Sequence, residues 1–297
     1  MRHSLEAALA RRSPLRRPGT DALRLVDGEG DQLPGLELED FAGRWLLSTR
    51  DRQPPPEMLA WLRDQKRCVY WKRLDQQQKD SPVHLCGPDQ AEPFVIHENG
   101  LAFEVSFQSG YSQGIFLDQR DNRAALRERL GPGQTLLNTF AYTGAFSVFG
   151  VAAGATATTL DLAQPYLDWA KRNFSLNGFD PAAHYFCKGD TFHWLARFAK
   201  QGRKFDGIVL DPPTFSRAKD GAVFRVEKDY ARLAELALAC LAPGGFLLAS
   251  TNCRTLTPRD FERQLREASR KLLKLDATAM PADFTAEPYL KSIWVET

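Results

Sequence analysis

Behind several short apolar runs of this chain stand residues that can do chemistry. The first group is Asn138-Thr-Phe-Ala-Tyr-Thr-Gly144, in which Asn138, Phe140, Tyr142 and Thr143 lead to a glycine. Gly144 lets the backbone turn tightly and approach a ligand before a helix begins. The run is not Gly-x-Gly-x-x-Gly, so it offers no nest for a pyrophosphate. A dinucleotide therefore fits poorly, whereas a ligand with an amino-acid moiety needs no such nest. As plain punctuation between strand and helix, one glycine carries little information. Asp161, followed by Leu162, closes the next apolar run 17 residues after Gly144. A carboxylate there can accept both hydroxyls of a ribose. Asp190, followed by Thr191, holds the corresponding place one run later and can accept from an adenine amino group. Either aspartate can instead cap the helix behind it, but two in register favour a nucleoside-bearing ligand. The last group is Asp211-Pro-Pro-Thr-Phe215. Two prolines cannot continue a central strand and hold the chain in an extended turn. Such a turn presents Asp211, the Pro212 carbonyl and Phe215 at the mouth of a site. Phe215 can stack on an extruded base and Asp211 can bond its polar edge; a surface Pro-Pro turn is the plain alternative.

These groups need elements to position them. Apolar periodicity predicts helices at 118–130, 144–153, 164–176 and 229–240, with strands at 135–138, 158–162, 184–188, 205–210 and 245–251. A further helix is expected behind the strand at 184–188. Strand and helix alternating at this spacing imply a doubly wound, Rossmann-like α/β sheet with helices on both faces. In such a sheet ligands bind beyond the carboxyl ends of the strands, at the point where strand order reverses. Upstream, strands are expected at 22–26, 33–38, 45–49, 68–72 and 100–107, with a helix from 57 to about 65. The expected organisation is a basic arm at 1–20, a small α+β domain at 21–110 and the catalytic domain at 111–297.

Composition narrows the classes. With 43% apolar and 26% charged residues, the 297-residue chain can build a sizeable core. No run approaches the roughly 18 apolar residues of a membrane span, and the N-terminus does not read as a signal peptide. Five scattered cysteines without a Cys-x-x-Cys pair point to reduced thiols in a cytoplasmic protein, with no metal site. The net charge is only +2, but residues 1–20 hold five arginines and one glutamate. Such an arm can neutralise phosphates, or be a solvated terminus.

From about residue 110 onward the chain resembles the class I S-adenosylmethionine (SAM)-dependent methyltransferases that modify bacterial large-subunit ribosomal RNA. The resemblance rests on Gly114-Ile-Phe-Leu-Asp-Gln-Arg120, 138–144, Thr159-Leu-Asp161, 169–178 and Asp211-Pro-Pro-Thr-Phe-Ser216. Residues 21–45 also resemble the small domain that precedes the catalytic one in cytosine-C5 members. The resemblance implies SAM as cofactor and RNA, most of all ribosomal RNA, as partner. It implies that Phe116, Asp118 and Arg120 join the SAM site from outside the sheet. Asp161 would hold the ribose, Asp190 the adenine, and Asp211 would sit near the methyl group and the target base.

Two departures bear on the chemistry. Cytosine-C5 members begin with an RNA-binding PUA domain, for which no room is expected here. They also carry a nucleophilic cysteine after the fifth strand, because C5 reacts only once a thiolate has added at C6. Here Cys253 lies one residue beyond that place, which Asn252 takes, and one residue along a strand reverses a side chain. Cys253 is thus either the catalytic nucleophile or an inert thiol. The Asp-Pro-Pro-Thr-Phe-Ser segment and the helix around Trp169 resemble more closely the guanine-N7 branch, in which direct in-line transfer suffices. Arg217 or Lys219 would add contacts to RNA. Competing readings are a nucleotide-dependent oxidoreductase on the same fold, a non-catalytic RNA-binding or assembly factor, and methylation of a protein or small molecule.

Overall fold

The computed structural model describes residues 1–297 apart from 52, 75–79, 111, 218–222, 270–272 and 297. Two compact units emerge, Met1–Arg120 with Met280–Pro288, and Asp121–Ala279 with Tyr289–Thr297.

The N-terminal unit runs α1 (Arg2–Arg12), β1 (Ala22–Asp27), β2 (Leu36–Phe41), β3 (Arg44–Thr49), α2 (Pro56–Asp64), β4 (Val69–Arg73), β5 (Val83–Cys86), β6 (Phe94–Glu98) and β7 (Leu101–Val105). Strands β1 to β5 form one sheet in that order. Its pairs are antiparallel except β3 with β4, where α2 makes the crossover. Leu5 and Ala8 of α1 and Met58, Trp61 and Leu62 of α2 share a core with Leu23, Leu38, Trp45 and Val69. Asn99 and Gly100, both left-handed at φ 50° and 81°, close the β6–β7 hairpin as a primed turn requires. The strand expected at 33–38 starts only at Leu36, because left-handed Gly35 (φ 72°) turns the chain just before it.

Two expectations need correction here. Most of the basic arm is the helix α1, and four of its five arginines have carboxylate partners within this unit. Arg11 and Arg12 both pair with buried Asp31, Arg16 with Asp40 at 2.6 Å, and Arg2 with Asp64 at 2.5 Å. An arginine held against a carboxylate adds little to a phosphate-binding field. The domain boundary also differs from 110/111. Arg120 and the segment 280–288 belong with the N-terminal sheet because Arg120 forks onto buried Asp283, at 2.5 and 3.2 Å. The same aspartate accepts the Arg24 backbone N–H at 2.8 Å, and Arg12 donates to its carbonyl at 2.9 Å.

The second unit runs α3 (Arg120–Arg129), β8 (Thr135–Thr139), α4 (Ala145–Ala152), β9 (Thr156–Asp161), α5 (Gln164–Leu176), β10 (Tyr185–Lys188), α6 (Thr191–Lys200) and β11 (Phe205–Leu210). It continues with β12 (Phe215–Arg217), β13 (Val223–Arg225), α7 (Val226–Ala239), β14 (Leu241–Thr251), α8 (Pro258–Glu267), β15 (Lys274–Thr278) and β16 (Lys291–Glu296). The seven-stranded sheet has the order β10-β9-β8-β11-β14-β16-β15. Its first five strands are parallel, and β16 runs against both neighbours. This is the doubly wound sheet that the alternation predicts. Strand order reverses between β8 and β11, so the crevice lies above that pair. Leu137, Leu160, Ile208, Leu210, Leu233, Leu247 and Phe261 are fully buried in one core. The β12–β13 hairpin, α8, β15 and β16 lie outside the periodic runs identified in the sequence.

Candidate active site

The turn after β8 is unusual in its backbone. Phe140, Tyr142 and Gly144 are all left-handed, at φ 51°, 51° and 76°. For residues with a Cβ this costs about 1–3 kcal/mol each, and surrounding bonds must hold it. The Ala141 N–H donates to the Leu160 carbonyl at 3.0 Å and the Gly144 N–H to the Ala141 carbonyl at 2.8 Å. Gly144 serves a second purpose, since a Cβ there would meet the Ala170 Cβ of α5 at 2.7 Å. The close approach that the glycine permits is thus, in part, that of a helix.

Asp161 ends β9. Its Oδ2 accepts the Tyr142 N–H at 2.8 Å and its Oδ1 the Ala163 N–H at 2.9 Å. Burial raises its carboxyl above the ordinary 3.8, while N–H groups of Ala163, Tyr142 and Leu162 oppose the shift. Each oxygen keeps a lone pair for a further donor. Leu162 beside it is 56% exposed, an apolar surface at the strand end. Asp190 does cap a helix, as its alternative reading foresaw: Oδ1 accepts the His193 N–H at 3.0 Å at the start of α6. Its other oxygen stays available on an exposed side chain.

Three residues expected among the cofactor contacts are buried. The Asn138 amide is buried and donates to Ser147 Oγ at 3.0 Å, with Thr159 donating to the same oxygen at 2.8 Å. Thr143 is buried and its carbonyl accepts from Asn173 at 2.9 Å. Thr191 is 3% exposed. The Asn138 side chain thus ties β8 to α4.

Beyond β11, Pro212 is buried while Asp211 is half-buried. Phe215 opens β12 and is 49% exposed, with the Arg225 guanidinium of β13 5.7 Å from its ring centre. Lys219 lies outside the described residues, and of Arg217 only the backbone, in β12, is described. Beneath this segment is Tyr230, which sequence reasoning missed. Its buried hydroxyl lies 3.1 Å from the carbonyls of both Leu210 and Ser250, tying the ends of β11 and β14. Burial, and then the Asp211 carboxylate, push that hydroxyl well above its ordinary range. No sequence signal marks Tyr230, because its partners arrive from two other strands.

Cys253 is 4% exposed. Its thiol donates to Glu227 Oε1 at 3.3 Å and lies 3.2 Å from Thr255 Oγ1, which donates to the same carboxylate at 2.8 Å. Hydrogen bonds from its own N–H, from Thr255 and from Cys253 hold the Glu227 carboxyl below its ordinary range.

Phe116, Asp118 and Arg120 belong to the N-terminal unit. Phe116 is 49% exposed, Asp118 is half-buried, and both terminal nitrogens of Arg120 are on Asp283.

The donor set of the second unit fits the cofactor that the resemblance implies. Two carboxylates with spare lone pairs stand at the ends of β9 and β10, an exposed leucine follows the first, and the strained turn after β8 is bonded to that same carboxylate. Hydroxyl and amino donors of a nucleoside suit such acceptors, whereas a phosphate would be repelled. Among the described residues no group of His, Cys, Asp and Glu side chains is arranged to hold a metal. No helix among them is long and apolar enough to cross a membrane.

Comparison with known proteins agrees with this geometry. The family model described as S-adenosylmethionine-dependent methyltransferase matches residues 24–286. The chain is 34% identical to ribosomal RNA large subunit methyltransferase K of Neisseria meningitidis, over 82% of this chain and 73% of that protein. It is 32% identical to a ribosomal RNA large subunit methyltransferase of Deinococcus radiodurans, over 98% and 78%. Among solved structures, SMU.776 in complex with S-adenosylhomocysteine superposes with a TM-score of 0.89 at 28% identity, covering 99% of this chain and 80% of that one. These findings set aside the oxidoreductase reading.

Proposed function

Since the chain belongs to the S-adenosylmethionine-dependent methyltransferase family, with SAM as its methyl donor, we propose that it methylates a base of RNA, in large-subunit ribosomal RNA. The observation that carries this reading is the segment 211–215 at the switch point of the sheet. It offers an exposed aromatic ring, Phe215, four residues after a half-buried carboxylate, Asp211. A base drawn out of its stack is held by such a pair, a ring against its face and an acceptor at its edge. Relatives named as ribosomal RNA large subunit methyltransferases support the same substrate. A ribosomal substrate also fits a cytoplasmic enzyme.

Asp161 would accept the ribose hydroxyls of SAM and Asp190 the adenine amino group, with Leu162 against the ring. When bound, SAM supplies an electrophilic methyl group on a sulfonium. Asp211 orients the base, and Tyr230 holds the ends of β11 and β14 so that Asp211 keeps its place.

The surroundings of Cys253 favour direct transfer over attack through a thiolate. A buried thiol that donates to Glu227 is poorly prepared to add to a pyrimidine ring. The acceptor is therefore a base atom that already holds a lone pair, such as guanine N7. The test is transfer of labelled methyl from SAM to ribosomal RNA from cells lacking the gene, followed by identification of the modified nucleoside. Label in a purine would support the reading. Label at cytosine C5 would overturn the mode of transfer, and label in no RNA, free or in particles, would overturn the substrate.

A further inference from the structure

We propose that the outer edge of the second unit's sheet, strand β10 with its flanking helices α5 and α6, is a docking face for RNA outside the crevice. The inference rests on the RNA reading above and adds where the substrate is gripped. Within residues 168–203 stand six cations, Lys171, Arg172, Lys188, Arg197, Lys200 and Arg203, against three aspartates. That surplus of three exceeds the +2 of the whole chain, so the rest of the molecule is slightly acidic.

Cations lie on rings elsewhere in the chain too, as Arg129 does on Trp294, but here most of them meet no carboxylate among the described residues. On α1 and α8 the arginines meet carboxylates: Arg11 and Arg12 meet Asp31, Arg263 meets Asp260, and Arg266 meets Glu262. Around β10 several cations lie on aromatic rings, and of these Lys171 also meets Asp168 at 3.8 Å. The Arg203 guanidinium is 5.0 Å from the Tyr185 ring centre, Arg197 is 5.0 Å from Trp194, and Lys171 is 5.4 Å from Phe186. A ring steadies a cation without neutralising it. Two of the three aspartates are occupied by backbone N–H groups, Asp180 by Ala182 and Asp190 by His193. Among the described residues Lys188, Arg197 and Lys200 have no carboxylate partner.

Exposed aromatics complete the pattern. Tyr185 is 54% exposed although Arg203 lies on its ring. β10 pairs only with β9, so its other edge is open among the described strands. One lysine on an edge strand is ordinary protection against pairing with another chain. Cations along both flanking helices, interleaved with rings, exceed that need. They match what a single-stranded or looped RNA offers, phosphates for the cations and base faces for the rings.

The test is a triple substitution, Lys171→Gln with Arg197→Gln and Lys200→Gln, and a matched control, Arg259→Gln with Arg263→Gln on α8. Affinity of the full chain for a large-subunit ribosomal RNA fragment is measured across salt concentrations, with methyl transfer in parallel. SAM affinity and melting temperature report that both variants fold. The triple variant is expected to weaken RNA binding roughly tenfold or more and to make the salt dependence of log affinity shallower by about two. Its KM for RNA rises while kcat at saturating RNA holds, and the control changes neither. If the wild-type protein methylates RNA and the triple variant matches it in KM and salt slope, the docking face is wrong and the RNA reading stands. If the wild-type protein neither binds nor methylates RNA, both fall. A wild-type dimer that the triple variant dissociates, with RNA binding unchanged, would reassign the edge to self-association.

Discussion

The backbone N–H of Tyr142 donates to Asp161 Oδ2 across 2.8 Å, so one carboxylate joins the left-handed turn after β8 to the end of β9. The same carboxylate that would hold a ribose thus also holds the turn that borders it. Asp161→Asn removes the charge and replaces one acceptor oxygen by a donor. A hydrogen bond to a charged group contributes about 1.5–3 kcal/mol, so SAM affinity should fall roughly 10- to 100-fold by calorimetry.

The pH dependence of Asp161 has two opposite signs. Burial raises its carboxyl in the folded, ligand-free protein above the ordinary 3.8. Its contribution to stability is therefore complete below that value and is lost as pH rises through the folded value. SAM binding needs the ionised acceptor and should strengthen over the same rise. Titrated upward from pH 4, SAM affinity and the stability difference between wild type and Asp161→Asn should move in opposite directions; parallel movement would show that Asp161 does not govern binding.

Phe215→Ala should leave SAM affinity unchanged and lower kcat/KM for RNA by about 10- to 100-fold, the range of one lost base–aromatic stack. Phe215→Trp should recover most of the loss. Equal rates for wild type and Phe215→Ala in a single-turnover assay would remove the stacking role.

Cys253→Ala should retain methyl transfer within about threefold. The thiol's hydrogen bond to Glu227 is a structural contact, and its loss costs about 1 kcal/mol. In a unit of this size that lowers the melting temperature by roughly 2–4 °C. Abolished transfer in a variant with that modest change would instead establish a thiolate.

Asp283→Ala removes the bidentate partner of Arg120 and the acceptor of the Arg24 N–H from the core of the N-terminal unit. Breaking a buried ion pair costs about 3–5 kcal/mol. Denaturant unfolding should show that loss, with Asp283→Asn intermediate. A loss under about 1 kcal/mol would mean that the segment 280–288 is held by its other contacts.

The parallel sheet was legible because short strand-like runs bounded by turns alternate with segments that repeat at helical period. The Asn99-Gly100 pair also marks the β6–β7 hairpin, of which the period-two pattern at 100–107 shows the second strand alone. Strand β16 carried no such mark. Its Ile293 and Val295 resemble any short apolar stretch until they pair with Ala249 and Leu247 of β14.

The sequence by itself determined which residues stand at the ends of the parallel strands, since strand–turn–helix order is local and a proline pair or lone glycine acts on its neighbours. Asp161, Asp190, Asp211 and Phe215 were found that way. Only the tertiary structure decided what each side chain does there. Asn138 turned inward to Ser147, Arg120 went to Asp283, Cys253 met Glu227, and the arginines of the N-terminal arm met Asp31 and Asp40. The reason is that a buried polar group must find its partner wherever the fold brings one. Such partners lie 163 residues apart along the chain for Arg120 and Asp283 and 271 for Arg12 and Asp283, beyond the reach of any local pattern.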